Sequence, residues 1–437
     1  MNGARKEIPV GLIGFGTVGQ GVWKHLEARG SELAEDVGAP LRIAAVAVRD
    51  RSREREVAVR PGLLTEDPMA VVGDPDIPVI CELAGGTTGA LEWTRAALAA
   101  GKTVVTANKA LLCGHGGELM EAAAAGGGRL FFEASVAGGI PVIKTLREGL
   151  VVNRFDRIFG ILNGTSNFIL TKMERDGAGF EQVLGEARRL GYVEADESLD
   201  LDGWDAAHKV VVLAWLAHRL WVPTADMIVE GIRGVSLADM RFARELGHRI
   251  KLIGSVVRAG AGGRVFLAVR PTLVPIASLM ADVDDAYNAV RLEGDLSGPT
   301  VLIGRGAGQD PTASAVVSDL VDAGRALVAG SHPRSRSRRA GDAVGVAGLE
   351  CVIQEYYIRL TVADRPGVLA EVAGAFSRQG ISIATVIQRY HGEEGTASLV
   401  LVTHECSEKD LRAALDGVAG GESVLGNILV CPILDPE

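Results

Sequence analysis

The chain has 437 residues, a length that suits two or three domains. Hydrophobic residues make up 47% and charged residues 23%, the balance of an ordinary soluble protein. A formal net charge of −10 offers no broad basic surface for nucleic acid or anionic lipid, and no apolar run approaches the roughly 20 residues of a bilayer span. The N-terminus enters a strand pattern by Ile8, without the charged and apolar regions of a secretory signal. Cys81, Cys113, Cys351, Cys406 and Cys431 are scattered, with no C-x-x-C among them. They read as reduced thiols of a cytoplasmic protein, with redox regulation through one of them a minor alternative.

Ile8 to Ile13 is a short apolar strand. It runs into Gly14-Phe15-Gly16-Thr17-Val18-Gly19 and then a helix from about Gln20 to Arg29. The order strand, glycine turn, helix makes G-x-G-x-x-G credible as a dinucleotide site, because the backbone can approach a pyrophosphate at the positive end of the helix. A second strand, Leu41 to Val48, ends in Arg49-Asp50-Arg51. Arg49 suits the 2′-phosphate of NADP, while Asp50 could take a ribose hydroxyl; the reading favours NADP with NAD also accepted. The bland alternative is a solvated basic loop, since Arg53 and Arg55 continue the run.

Strands at Val79 to Leu83, Lys102 to Thr106 and Arg129 to Glu133 alternate with alanine-rich helices around Leu91 to Ala100 and Glu118 to Ala125. That alternation predicts a doubly wound parallel sheet, with ligands at the carboxyl ends of its strands. Gly85-Gly86-Thr87-Thr88 and Ala107-Asn108-Lys109 lie at two such ends, so Thr87 and Lys109 point toward the nicotinamide region. Glu133 is followed by the glycine-bent segment Ala134 to Pro141. A carboxylate and several carbonyl oxygens could surround a hard cation there, although the glycines also serve a plain turn.

Val151 to Asn163 reads as a strand, ending in Asn163-Gly164-Thr165-Ser166 with Ser166 as a helix N-cap. The stretch Tyr192 to Lys209 then places six carboxylates before any base, at Glu194, Asp196, Glu197, Asp200, Asp202 and Asp205. A solvated loop could carry them. Yet Ala206 to Leu220 is apolar almost all round, the mark of a buried helix. Asp205 and Lys209 stand one turn apart at its mouth, and a charged pair held there is a costly structural bridge or part of a site. Ser198-x-Asp200-x-Asp202-Gly203 imitates the start of a calcium loop, but the twelfth position holds Lys209 where a bidentate glutamate is needed.

Strands at Lys251 to Val257 and Val265 to Val274 suggest an α+β second domain, and a helix at Pro311 to Ala329 returns to the first. Gly330 to Gly348, with Arg334, Arg336, Arg338 and Arg339, is a solvated linker; no aromatic residue interleaves the arginines as nucleic-acid binding would need. The remainder orders as βαββαβ, with strands Tyr356 to Val362, Ile381 to Gln388, Ser398 to Thr403 and Ser423 to Ile433, a ferredoxin-like pattern.

GFGTVG, TANKALL, FEASVAGGIP, GILNGTSNFIL, GYVEADESLDLDGWDAAHK and GAGQDPTASAVVSDL, in that order, resemble the motifs of homoserine dehydrogenase. DRPGVL with a later GISI resembles an ACT regulatory domain. The resemblance spans nearly the whole chain. It implies a Rossmann-type domain at 1–140, a substrate and dimerisation domain at 141–300, a return helix at 301–330, a linker at 331–350 and an ACT domain at 351–437. It implies reduction of L-aspartate 4-semialdehyde to L-homoserine, on the route to threonine, methionine and isoleucine. Lys209 would donate the proton, with Lys109 a second catalytic lysine and Asp205 beside them. Glu194 would bind the substrate amino group, with Asp200, Tyr192, Thr165 and Gly164 nearby. Gly191 and Gly306 match cofactor contacts. Glu133 and the carbonyls of Val136, Gly138 and Ile140 match a monovalent cation site, taken by sodium or potassium, with sodium favoured. Threonine would be the ACT effector, bound near Gly367 in a homodimer or homotetramer. Glu197 and Arg305 stand where the family commonly has proline, and Arg305 leaves the shape of the adjoining cofactor loop open.

Chemically, a lysine ammonium can stabilise the alkoxide that forms on reduction and protonate it. Asp205 favours that ammonium, whereas burial or a second lysine opposes it; the carboxylate is expected to prevail at neutral pH. Two other classes fit the same domains: a non-catalytic protein sensing nucleotide and amino acid, and another NAD(P)-dependent amino-acid dehydrogenase.

Overall fold

The computed structural model describes residues 7–60, 62–193, 197–259, 263–330, 345–390 and 395–435. The chain divides into two units, one of residues 1–153, 211–223 and 302–343, the other of residues 154–210, 224–301 and 344–437.

In the first unit, β1 (Ile8–Ile13) is buried along nearly its whole length, as a strand covered on both faces must be. With β2 (Leu41–Ala47), β3 (Leu64–Thr65), β4 (Val79–Glu82), β5 (Thr103–Thr106) and β6 (Arg129–Phe131) it forms a parallel sheet in the order β3-β2-β1-β4-β5-β6. The strand order reverses between β1 and its neighbours, which opens a crevice at their carboxyl ends where dinucleotides bind. The first helix covers Thr17–Ala28, so it starts earlier than the expected Gln20: the third glycine lies inside the first turn. The expected strand through Glu133 stops at Phe131, and Glu133–Ser135 forms a short 3-10 turn. The helix Gln309–Val328 belongs to this unit. Its Ala313, Val316 and Leu320 enter one apolar core with Ile8, Val10 and Val22.

The second unit is built on a mixed sheet of β7 (Phe155–Ile161), β8 (Ile228–Val229), β9 (His248–Ala259), β10 (Arg264–Pro275), β11 (Tyr287–Gly294) and β12 (Gly298–Arg305). Their order is β12-β11-β7-β9-β10-β8. β7 is antiparallel to β9 and β11, β9 to β10, and β8 runs parallel to β10. The apolar run after the acidic stretch forms the helix Trp204–His218. Val210 of that helix lies on β9, where a Cβ on Gly254 would be 2.6 Å from its Cγ2; glycine lets helix and sheet meet this closely.

The carboxyl-terminal part carries a second sheet, of β14 (Tyr356–Ala363), β15 (Ile383–Tyr390), β16 (Thr396–Thr403) and β18 (Leu429–Pro432). All pairs are antiparallel, in the order β15-β16-β14-β18, and the helices Val368–Arg378 and Glu408–Ala419 complete βαββαβ. A small pair, β13 (Ile353–Gln354) with β17 (Cys406–Ser407), flanks it. The closing strand is shorter than the expected 423–433. Residues 331–344, most of the segment read as a linker, lie outside the described residues.

Candidate active site

At the head of β1, Gly14 has φ +98°, and a Cβ there would come within 2.5 Å of the backbone of Leu83 and Ala84. Any larger residue would push β1 and β4 apart, so the turn requires glycine. Gly16 precedes the helix with open space beside it, and Gly85 and Gly86 likewise face open space with φ +73° and +74°. These residues fit a dinucleotide: a backbone cradle at a helix N-terminus with room for phosphates. Phe15 is buried edge-on against Trp23, with Thr17, Val18 and Gly19 in the first helical turn. Arg49 is exposed just beyond β2. Asp50 Oδ1 accepts from the amide and hydroxyl of Ser52 at 2.8 and 2.6 Å, which holds its carboxyl below the usual range. One of its oxygens is thus turned to its own loop.

Lys109 opens the helix Lys109–Gly126, behind the N-cap Asn108, whose Oδ1 accepts from Leu111 N at 3.0 Å. Asn108 Nδ2 donates to Gly86 O at 2.7 Å, tying the Gly85–Thr87 loop to the lysine loop. Beneath both lies Glu82, fully buried, accepting from Thr106 Oγ1 at 2.8 Å and Ala84 N at 3.0 Å. Burial raises its carboxyl above the ordinary value although these hydrogen bonds oppose it. Glu82 is not foreseen from the sequence, which places Asn108 at the strand end without its role; an Asn just before a helix at a strand end is a signal for both cap and loop anchor.

Glu133 accepts from Ile143 N at 2.9 Å and Lys144 N at 2.8 Å, one hydrogen bond on each carboxylate oxygen. Burial raises its carboxyl above the usual range. Ala137 and Gly138 both have left-handed φ, at 56° and 53°, and bend the chain beyond it. Val136 and Ile140 are buried, and Ile140 O accepts from Val142 N at 2.7 Å. Gly138 lies against Gly306 O, and Gly139 N donates to Arg305 O at 3.1 Å, which settles that loop. Arg305 itself is exposed. Among the described residues no cluster of three or more His, Cys, Asp or Glu side chains could hold a metal, so a cation here would depend on backbone carbonyls.

In the second unit, Lys209 is 8% exposed and donates to Asp205 Oδ2 at 2.7 Å and to Leu162 O at 2.5 Å. Asn163 follows Leu162 at the end of β7. Its Oδ1 accepts from Ser166 N at 2.7 Å, so Asn163 is the N-cap and the expectation of Ser166 is corrected. Its Nδ2 donates to Asp200 Oδ1 at 2.7 Å and Asp205 Oδ2 at 2.9 Å. Ser166 Oγ donates instead to Asp200 O at 2.8 Å. Thr165 Oγ1 donates to Tyr192 O at 2.7 Å, and the Tyr192 ring lies 4.8 Å from Phe168. Gly164 packs against Ala286 O, and Gly191 has φ +74°. The structure therefore gathers Lys209, Asp205, Asp200, Thr165, Gly164 and Tyr192 around Asn163. Glu194 and Asp196 lie outside the described residues.

Two acids of the stretch have structural partners that sequence counting missed. Glu197 pairs with Arg188 at 2.7 Å and Arg233 at 3.4 Å, and Asp202 with Arg233 at 2.7 Å. Arg188, nine residues before Glu197, and Arg233, 31 residues after Asp202, answer the charge. The five cysteines form no disulfide, and burial pushes the thiols of Cys81, Cys113, Cys406 and Cys431 up, away from reactivity. No described helix is long and apolar enough to cross a membrane.

Residues 14–133 match a family model for the NAD-binding domain of homoserine dehydrogenase, residues 141–321 one for homoserine dehydrogenase, and residues 356–416 one for the ACT domain. A homoserine dehydrogenase of Pseudomonas aeruginosa is 41% identical over 97% of this chain and 98% of its own length. One from Corynebacterium glutamicum is 40% identical over 95% and 93%. The crystal structure of a homoserine dehydrogenase from Thiobacillus denitrificans superposes with a TM-score of 0.90, at 42% identity and 99% coverage of both chains. A hyperthermophilic archaeal homoserine dehydrogenase in complex with NADPH is similar over 72% of this chain and 97% of its own, with a TM-score of 0.60 and 26% identity. Fold, site and these likenesses define an NAD(P)-dependent oxidoreductase acting on a CH–OH group, joined to an ACT domain. The chain belongs to the homoserine dehydrogenase family.

Proposed function

We propose that the chain reduces L-aspartate 4-semialdehyde to L-homoserine, within the cytoplasmic synthesis of threonine, methionine and isoleucine. When bound, the reduced nicotinamide supplies the hydride. Lys209 is the proton donor: its ammonium, held by Asp205 and Leu162 O, stabilises the oxygen that becomes an alkoxide and then protonates it. Asn163 fixes Asp200 and Asp205 so that the lysine keeps one position. Lys109 is a second catalytic lysine on the nucleotide-binding unit, and Glu194, Asp200, Tyr192, Thr165 and Gly164 bind the amino acid. Residues 1–140 serve nucleotide binding, 141–300 substrate binding and dimerisation, and 351–437 regulation.

Gly14 to Gly19, Thr87, Gly191 and Gly306 contact the cofactor. NADP is preferred and NAD accepted: Arg49 is exposed at the β2 tip for a 2′-phosphate, while Asp50 spends an oxygen on Ser52. A sodium ion would be held by Glu133 and the carbonyls of Val136, Gly138 and Ile140; the support is a set of oxygen donors that includes one buried carboxylate. The ACT domain binds an amino acid, threonine, near Gly367, and the protein works as a homodimer or homotetramer.

The observation that carries the reading is a Lys209–Asp205–Asn163–Asp200 network, its lysine and asparagine buried and its two acids half-buried, in a chain about 40% identical to homoserine dehydrogenases along its length. The test is oxidation of NADPH that depends on L-aspartate 4-semialdehyde. An equal rate with an unrelated aldehyde, or none with this one, would remove the assignment.

A further inference from the structure

Residues Glu230–Gly234 connect β8 to the helix Leu237–Glu245 and have no part in the chemistry above. Their middle is fastened to the acidic segment. Ile232 N donates to Leu201 O at 2.8 Å. Arg233 donates from Nε to Asp202 Oδ1 at 2.7 Å and from Nη1 to Glu197 Oε1 at 3.4 Å. A Cβ on Gly231 would stand 2.0 Å from Leu201 O and 2.4 Å from Asp202 Cα, so the two backbones can run this close only at a glycine. Between Asp200 and Asp205, whose carboxylates meet Asn163, stands Asp202, the residue Arg233 holds.

Both ends of the same segment are held by side chains of the βαββαβ part. Arg359, on β14, donates from Nη2 to Gly234 O at 3.1 Å and from Nε to the fully buried Asp239 at 2.7 Å. Arg412 reaches Glu230 at 3.5 Å and Glu408 at 2.9 Å. Glu408 is buried, pairs with Arg270 of β10 at 2.9 Å and accepts from Tyr356 Oη at 2.7 Å. One end is thus tied to β14 and the other to the helix Glu408–Ala419 as well as to β10, where Glu230 N donates to Val269 O at 2.7 Å, while the middle is bound to Leu201 and Asp202. A displacement of either element cannot leave the acidic segment where it is without breaking one of these bonds.

We infer that Arg233 is a positioning residue for the acidic substrate segment, and that the ACT domain keeps it in register through Arg359 on one side and Arg412 on the other. This rests on the functional reading above, which makes the Tyr192–Lys209 segment the aldehyde site. The Arg233 bridges are 43% and 38% exposed at the arginine and Asp202, so they add little to global stability. Their effect lies in the placement of the acids that receive the amino acid, so it is read in aldehyde binding rather than in melting temperature.

The test is steady-state kinetics of the full chain with L-aspartate 4-semialdehyde and NADPH, alongside NADPH binding and thermal melting. Arg233→Ala should raise KM for the aldehyde about 10-fold or more, with kcat within about 3-fold and the NADPH Kd unchanged. Arg233→Lys keeps one charge but spans one acid at a time, and should fall between. Arg359→Met, outside the acidic segment altogether, should shift the aldehyde KM in the same direction. The Arg412→Ala variant does the same from an exposed position and guards against misfolding of the others. A wild-type aldehyde KM in soluble Arg233→Ala and Arg412→Ala overturns the inference, as does a fall in melting temperature with KM unmoved. If the wild type turns over, only this inference fails; if it does not turn over the aldehyde, the functional reading has failed first.

Discussion

Lys209 and Asp205 provide a perturbation in which structure and chemistry give opposite signs. The pair sits at 2.7 Å with side chains 10% and 14% exposed, so each partner shields the other from an unfavourable burial. Lys209→Met keeps the length of the side chain and removes the charge. Asn163 still donates to Asp205 in that variant, at 2.9 Å. An uncompensated buried charge costs about 3–5 kcal/mol; with some solvent reaching Asp205, the lower end applies. Asp205→Asn takes the carboxylate away from a buried ammonium that still donates to Leu162 O, at a similar cost. The double variant Lys209→Met/Asp205→Asn has no charge to strand, so about 2–3 kcal/mol of the loss should return as a favourable coupling. Turnover should not return if Lys209 is the proton donor; it should stay at least about 10²-fold below wild type in both lysine variants. Chemical denaturation gives the first quantity and NADPH-dependent reduction the second. A double variant that regains both stability and turnover would show that Lys209 is a structural partner only, and the proton would have to come from elsewhere.

Gly14→Ala places a methyl within 2.5 Å of the Leu83–Ala84 backbone at φ +98°, so NADPH binding should weaken by about 10-fold or more and the melting temperature should fall; retention of both would mean the turn has slack. Burial raises Asp319 from 3.8 to about 7, so the folded state holds its proton more tightly than the unfolded chain and this group's contribution worsens as pH rises from about 4 to 7, then stays level. At about 1.4 kcal/mol per pH unit the ceiling is roughly 4 kcal/mol. Asp319→Asn keeps an oxygen for Glu133 N, now 2.8 Å away, and should gain stability over wild type as pH goes from 5 to 8; a difference constant across that range refutes a buried neutral acid. Ending the chain at Gly330 would uncover Asp239 and Arg270, each 2% exposed or less, and strip their partners Tyr357, Arg359 and Glu408. That variant should melt several degrees lower or fail to stay soluble, so the effect of any amino acid on the ACT domain is better tested on the full chain; an unchanged melting temperature would show that these buried pairs contribute nothing.

Much of the architecture was written in local pattern. Alternating apolar strands and alanine-rich helices predicted the parallel sheet, and the glycine turn placed its ligand end, because periodicity and backbone freedom are properties of neighbours in sequence. The spacing of Asp205 and Lys209 was enough to pair them, since one helical turn brings such residues together. Three things were not legible there. Asn163 as the hub of Asp200 and Asp205, Glu82 beneath the Asn108 loop, and Arg233 answering Glu197 and Asp202 all depend on which distant segments meet. Sequence by itself determined the family, the sheet and the lysine with its acid. Only the tertiary structure decided which of the clustered carboxylates face Lys209 and which are spent on Arg188 and Arg233, because the field at a side chain is set by what folds against it, and that is a matter of distance in space.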